Sequence, residues 1–145
     1  MSTFSKQISI RWADLDPNFH LRNSEYYDLG SQFRMELLEE AGLTMKIMKE
    51  QGFGPVLFRE ECVFKREIIL SDVITLTAKV LKMREDGSRW TIQHELIKAD
   101  DTLCAVITVD GAWMDVKNRK LANPTPQIAI DVLSQFPHAT GFEVL

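Results

Sequence analysis

The sequence predicts an α+β domain in which a curved antiparallel sheet wraps around one long helix. Three observations predict it. A single stretch, Asn23 to Ala41, carries helical apolar period. Four strand-like segments follow it, longer than the usual strand of about five to six residues. Tight turn signals at Asp86-Gly87 and Asp100-Asp101 join those segments as hairpins. The 145 residues fit one domain spanning 1–145, with no repeat or linker to divide it.

The elements follow in order. Ile8, Ile10 and Trp12 alternate with Ser9 and Arg11, the pattern of a short strand with one apolar face. A polar, proline-containing loop comes next, from Asp14 to His20. In the long helix Tyr26, Leu29, Phe33, Leu37 and Ala41 fall on one face, while Gln32, Arg34, Glu36 and Glu39 fill most of the rest. Asn23 or Ser24 can cap its start and Gly42 can stop it. Thr44 caps a second helix, Met45 to Gln51, which Gly52, Gly54 and Pro55 end.

Four strands are expected at Val56 to Ile68, Val73 to Met83, Arg89 to Ala99 and Leu103 to Val116. The second places Ile74, Leu76, Ala78 and Val80 on one face, and the third Trp90, Ile92, His94 and Leu96. The last is apolar on both parities. One face serves the helix and the other needs cover, so an oligomer is expected. Pro124 and Pro126 precede a terminal helix, about Gln127 to Phe136, giving the order β-α-α-β-β-β-β-α.

Composition narrows the function. The net charge of −4 argues against a nucleic-acid binder, because neutralising phosphates needs a basic face. No apolar run approaches the roughly 18 residues of a membrane span, and the N-terminus lacks a signal-peptide core, so a cytoplasmic protein is expected. Cys62 and Cys104 stand apart without ligand spacing and read as reduced packing thiols. His20, His94 and His138 are too scattered for an evident metal cage, so no metal is implied.

The chemistry concentrates in Asp14 to Tyr26. Two carboxylates, an imidazole, a carboxamide and a helix start fall within this one segment. Asp16 precedes a helix N-terminus whose free N–H groups can polarise a carbonyl oxygen. A carboxylate beside such donors can act as nucleophile or general base on a bound acyl group. His20 can hold a charge or a water, and Asn23 can cap the helix or orient that water. Asp-x-Asp-Pro-Asn is also a turn sequence, and spacing alone leaves that reading open.

The segment Asp14-Leu-Asp16-Pro17-Asn-Phe19-His20-Leu-Arg22-Asn23-Ser-Glu-Tyr26 resembles the D-x-D-x-x-x-H-x-x-N-x-x-Y stretch of hot-dog-fold acyl-CoA thioesterases of the 4-hydroxybenzoyl-CoA thioesterase class. The resemblance runs from the first strand through "FKREIILSD" to "WMDVKNRK". It implies a hot-dog fold, with the long helix inside the curved sheet, and dimers often paired into tetramers. It implies an acyl-CoA substrate, with coenzyme A present only as part of that substrate and no other cofactor. By resemblance Asp16 is the catalytic aspartate, and the N–H polarising the thioester carbonyl lies at or near Asn23. His20 and Tyr26 match positions that shape the site, with Pro17 and Phe19 on the substrate side of the loop. Two positions depart from the family pattern. Phe19 stands where Gly is frequent and Arg22 where Asn is frequent, and a bulky Phe19 would narrow the acyl pocket or redirect the loop.

Other residues compete for roles. A second thioesterase branch places its carboxylate on the long helix, but Glu36, Glu39 and Glu40 read as solvated helix charges. Glu60 shares parity with Phe58 and Cys62, which allows an inward carboxylate on that strand, and a sheet end or an oligomer contact is the preferred reading. His94 reads as a hydrogen-bonded imidazole on an apolar strand face, and Trp12, Trp90 and Trp113 read as packing. Lys65, Arg66, Lys82, Arg84 and Arg89 are candidates to meet coenzyme A phosphates. Two rival functions remain: a hydratase or dehydratase on the same fold, whose G-D-x-N-P-x-H spacing is not met here, and a non-catalytic acyl-binding module.

Overall fold

The computed structural model describes residues 4–145. The strands are β1 (Ser5–Ser9), β2 (Phe53–Phe64), β3 (Val73–Thr77), β4 (Lys79–Met83), β5 (Arg89–Lys98), β6 (Leu103–Asp115), β7 (Lys120–Leu121) and β8 (His138–Val144). The helices are α1 (Asn23–Glu40), α2 (Met45–Gln51) and α3 (Gln127–Leu133), with a 3-10 turn at Trp12–Asp14. All eight strands form one sheet. β2 pairs antiparallel with β6, and β6 with β5. β5 then pairs with β3 at one end and β4 at the other. β1 extends β3, and β8 runs parallel along β4. This is the hot-dog arrangement, a curled sheet around α1.

The strand periods expected from sequence hold where a face is buried. Ile74, Leu76, Ala78 and Val80 are buried on one parity, as are Trp90, Ile92, His94 and Leu96. Both hairpins form. Gly87 takes a left-handed φ of 73° and Arg84 N–H donates to the Arg89 carbonyl, while Asp101 takes φ 69° at the second turn. Thr44 Oγ1 accepts from the Ile47 N–H, capping α2 as read. Gly42, at φ 99°, closes α1: its N–H donates to Glu39 O and the Leu43 N–H to Leu38 O, a Schellman pair.

Several boundaries differ. The first strand is Ser5–Ser9 instead of Ile8 to Trp12, because Trp12 opens the 3-10 turn and projects into solvent. The expected strand Val73 to Met83 divides at Ala78, whose N–H donates to the Phe4 carbonyl. The segment expected at Val56 to Ile68 begins and ends earlier, as Phe53–Phe64. Residues 65–72 then turn back to bind the Asp16 loop, with the Leu21 N–H donating to Ile68 O. β7 and β8 add to the expected order, and the last helix stops at Leu133. A further difference is in α1, where Arg34 is buried with Tyr26, Gly30, Phe33, Leu37 and Leu38. Asn23 and Ser24 do not cap this helix. Arg22 is the cap residue, and its side chain makes no capping hydrogen bond to the backbone of the first turn.

Candidate active site

The Asp16 loop is built by hydrogen bonds that fold it back on itself. The Asp16 N–H donates to His20 O at 2.8 Å and the Phe19 N–H to Asp16 O at 2.9 Å. The Asp16 carboxylate Oδ1 accepts the backbone N–H of Asn18 at 2.8 Å and of His20 at 3.1 Å. Leu15 bridges Leu21, and His20 bridges Ile69, so both arms of the loop are pinned. Closing this turn forces Phe19 to a φ of 64°, which disfavours a residue with a Cβ by about 1–2 kcal/mol. The glycine preference expected at that position therefore has a local conformational cause.

Asp14 and Asp16 divide their labours. Asp14 is buried and held by Arg11, whose Nε and Nη2 donate to its two oxygens at 2.8 and 2.6 Å. That hydrogen bond is the main reason its carboxyl is held below the ordinary range. Arg22 then straps the loop to α1. Its N–H donates to Asp14 O at 2.9 Å, its Nη1 to Ala13 O at 2.8 Å and its Nη2 to Glu25 Oε2 at 2.9 Å. The arginine that departs from the family pattern is thus a structural tie. Asp14 positions the loop, and Asp16 presents its carboxylate to solvent.

Asp16, His20, Asn23 and Tyr26 line one open pocket of about 390 Å³ with Phe64, Lys65 and Arg66. Tyr26 is buried, its ring edge-on to Phe64 at 4.9 Å, and burial pushes its phenol up to about 12, so it stays protonated. Pro17 and Phe19 are exposed and outside this lining. The Phe19 ring turns away toward exposed Trp12, with centroids 6.1 Å apart, and so does not narrow the pocket. Of the basic candidates, Lys65 and Arg66 reach the pocket, whereas Lys82, Arg84 and Arg89 belong to the β4–β5 hairpin. Glu36 pairs with Lys6 at 2.6 Å and Glu39 accepts the Met45 N–H, both away from the pocket.

A second polar cluster lies deeper. Arg34 Nη1 donates to His94 Nε2 at 3.0 Å, and His94 Nδ1 donates to Thr77 O at 2.8 Å. Arg34 Nη2 stands 3.7 Å from Glu60 Oε2. Burial, then the neighbouring guanidinium, pushes His94 down to about 3, so the imidazole is neutral. Sequence reading placed Arg34 off the apolar stripe of the helix. The signal that locates it is the row Tyr26, Gly30, Arg34, Leu38 at i, i+4, i+8, i+12, facing an inward histidine. Among the described residues, no group of three or more His, Cys, Asp or Glu is placed to hold a metal. No described helix is long and apolar enough to cross a membrane.

The profile of the thioesterase-like superfamily matches residues 10–132, from the first core residue through α3. The chain belongs to the thioesterase-like superfamily. Solved structures agree on the hot-dog fold of this superfamily. A Staphylococcus aureus protein in complex with CoA superposes with a TM-score of 0.84 at 18% identity, over 98% of this chain and 87% of that one. A 1,4-dihydroxy-2-naphthoyl-CoA thioesterase from Synechocystis gives 0.80 at 17% identity, over 94% and 98%. A probable thioesterase from Escherichia coli gives 0.78 at 18% identity, over 92% and 98%. Comparison with curated protein sequences finds no match. Within this thioesterase-like fold, the pocket joins an anchored carboxylate, a protonated phenol and a helix start without a side-chain cap.

Proposed function

We propose that the chain is an acyl-CoA thioesterase, hydrolysing an acyl or aroyl thioester to the free acid and coenzyme A. The observation that carries this reading is Asp16. Its Oδ1 is fixed by two backbone N–H groups, and it lines the same pocket as Asn23 at the uncapped start of α1. Asp16 acts as nucleophile, or as the base that takes a proton from water, while the carbonyl oxygen sits against the first N–H groups of α1. By either route the C–S bond breaks and the thiolate of coenzyme A leaves and is protonated. With Asp16 as base the acyl carbon keeps the water oxygen; with Asp16 as nucleophile water then cleaves the acyl–Asp16 anhydride to release the acid and regenerate the carboxylate. His20, Asn23 and Tyr26 shape the acyl site, and Lys65 and Arg66 lie at its edge for the coenzyme's phosphates. A CoA complex among the similar structures supports the same ligand here. The working unit is a homodimer, alone or paired, in the cytoplasm.

Free-thiol release across aliphatic and aromatic acyl-CoA substrates tests this. Asp16→Asn keeps the acceptor that anchors the loop while removing the base, so activity should fall about 10²- to 10⁴-fold with the melting temperature nearly unchanged. An Asp16→Asn protein with full activity would overturn the assignment. Hydration of an enoyl-CoA without thioester cleavage would replace it with the hydratase reading.

A further inference from the structure

Tyr26 sits early in α1, three residues after Asn23, and its ring stands edge-on to Phe64 at the end of β2. The residue is 3% exposed and lines the Asp16 pocket. A buried phenol ordinarily finds a hydrogen-bond partner. Among the described residues Tyr26 finds none: its hydroxyl bonds neither Asp16, His20 nor Asn23, and no backbone carbonyl takes its proton. The oxygen is not sealed away either. The buried side-chain atoms that are both sealed and unbonded are Glu60 Oε2, Arg89 Nε, Trp90 Nε1 and Trp113 Nε1, and the Tyr26 oxygen is not one of them. The hydroxyl therefore keeps open surface, and the pocket that Tyr26 lines is the one that holds Asp16.

Two observations set that hydroxyl toward the reacting end of the pocket. A helical side chain leans toward the N-terminus of its own helix, so a phenol rooted at Tyr26 reaches back toward the level of Asn23, about 4.5 Å away along the axis. Its proton is held on by burial first, and then by the nearby Cys62 and Cys104 thiols and the Asp16 and Glu67 carboxylates, so Asp16 is close enough to act on it. A carboxylate within electrostatic reach that takes no hydrogen bond from the phenol leaves the donor free for a ligand. Protonated and without an acceptor of its own, the hydroxyl is a donor fixed before substrate arrives. That is the property a group needs to stabilise charge developing on an oxygen.

We propose that the Tyr26 hydroxyl is a catalytic donor, which hydrogen-bonds the thioester carbonyl oxygen and joins the first N–H groups of α1 in stabilising the charge that gathers there. The inference rests on the thioesterase reading for the reaction, and on the unbonded phenol alone for the donor. The proton stays on Tyr26 throughout. Its bond to the carbonyl oxygen strengthens as attack makes that oxygen anionic, and relaxes when the C–S bond breaks and the C=O bond re-forms.

Tyr26→Phe keeps the ring against Phe64 and removes only the oxygen. In free-thiol release with an aliphatic, an aromatic and a hydroxylated aromatic acyl-CoA, kcat should fall on the order of 10²-fold while KM rises far less. The fractional loss should be the same for all three substrates. The melting temperature should be equal or higher, because no bond inside the protein is lost. Full activity in the variant overturns the proposal. So does a loss confined to the hydroxylated acyl group, which would set the phenol beside the acyl chain.

An uncleavable analogue reads the bond itself. In a ketone analogue of the aromatic acyl-CoA, CH₂ replaces the thioester sulfur and the carbonyl is kept. With ¹³C at that carbonyl, the infrared stretch of the bound ketone should lie at lower frequency in wild type than in Tyr26→Phe. A purely structural tyrosine would not move this band. Equal frequencies in the two proteins overturn the proposal, and wild-type thiol release alongside them leaves the thioesterase reading standing. If no acyl-CoA is cleaved while the band is still lower in wild type, the thioesterase reading falls and Tyr26 stands as a carbonyl-binding donor. If the ketone does not bind at all, the donor assignment falls.

Discussion

At the scale of single residues, His94 has its protonation state fixed by the bonding capacity of its neighbours. An arginine can only donate, so Nε2 must accept from Arg34; a backbone carbonyl can only accept, so Nδ1 must carry the proton toward Thr77. Adding a proton at Nε2 would set two donors against each other in a buried site. The folded-state value, about 3, therefore lies below the ordinary 6.5. Between those two values the unfolded chain binds more protons than the folded one, so stability falls as pH drops through this window. Urea unfolding should give a midpoint that declines from pH 7 to pH 4, and the decline should be smaller in His94→Gln. Equal slopes for both proteins would show that His94 is not the titrating group.

At the scale of elements, Gly111 shows how strand and ring are fitted together. It lies within β6 opposite Trp90 of β5, and a Cβ there would meet three carbons of the Trp90 ring at 2.3 to 2.8 Å. Alanine is better than glycine in an ordinary strand by roughly 0.5–1 kcal/mol. Here the order reverses, and Gly111→Ala should destabilise by about 1–3 kcal/mol through forced displacement of the indole. A thermal melt unchanged from wild type would refute it. This contact illustrates what the sequence alone can and cannot carry. Period-2 alternation made the inner faces of β3 and β5 readable, and Gly42, Thr44 and Gly87 marked their turns and caps. The break at Ala78, the bulge in β2 between Leu57 and Arg59, and the parallel strand β8 depend on long-range pairing that no local pattern encodes. The site divides the same way. Asp16, His20, Asn23 and Tyr26 were legible as one motif because the loop that joins them is local. Arg34 and Phe64 reach their positions only when β2, β5 and β6 close around α1.

At the scale of the whole molecule, the longest strand with an open edge is β2. Among the described residues it bonds only to β6, and Leu57, Phe58, Val63 and Phe64 are 42 to 54% exposed along it. Phe58 falls at the bulge, out of register with β6. A strand of this length with an open hydrogen-bonding edge and apolar side chains invites pairing with another chain. Sequence reading placed the need for cover on one face of the last strand, β6; on that face Val106 and Thr108 are half-buried, and the more exposed apolar side chains lie on its neighbour β2. Two copies meeting β2 to β2 about a twofold axis would satisfy both edges with one isologous contact. Such an interface also bears on catalysis, because Phe64 lies on this strand and lines the Asp16 pocket. The expected outcome is a dimer by sedimentation equilibrium at micromolar concentration. Phe58→Lys together with Val63→Lys places like charges on both sides of the axis, and should shift the species to monomer and lower thioesterase activity in parallel. A wild-type monomer across the concentration range, or a charged double variant that stays dimeric, would place the contact elsewhere. If the double variant is monomeric yet fully active, the pocket is complete within one chain, and β2 serves assembly alone.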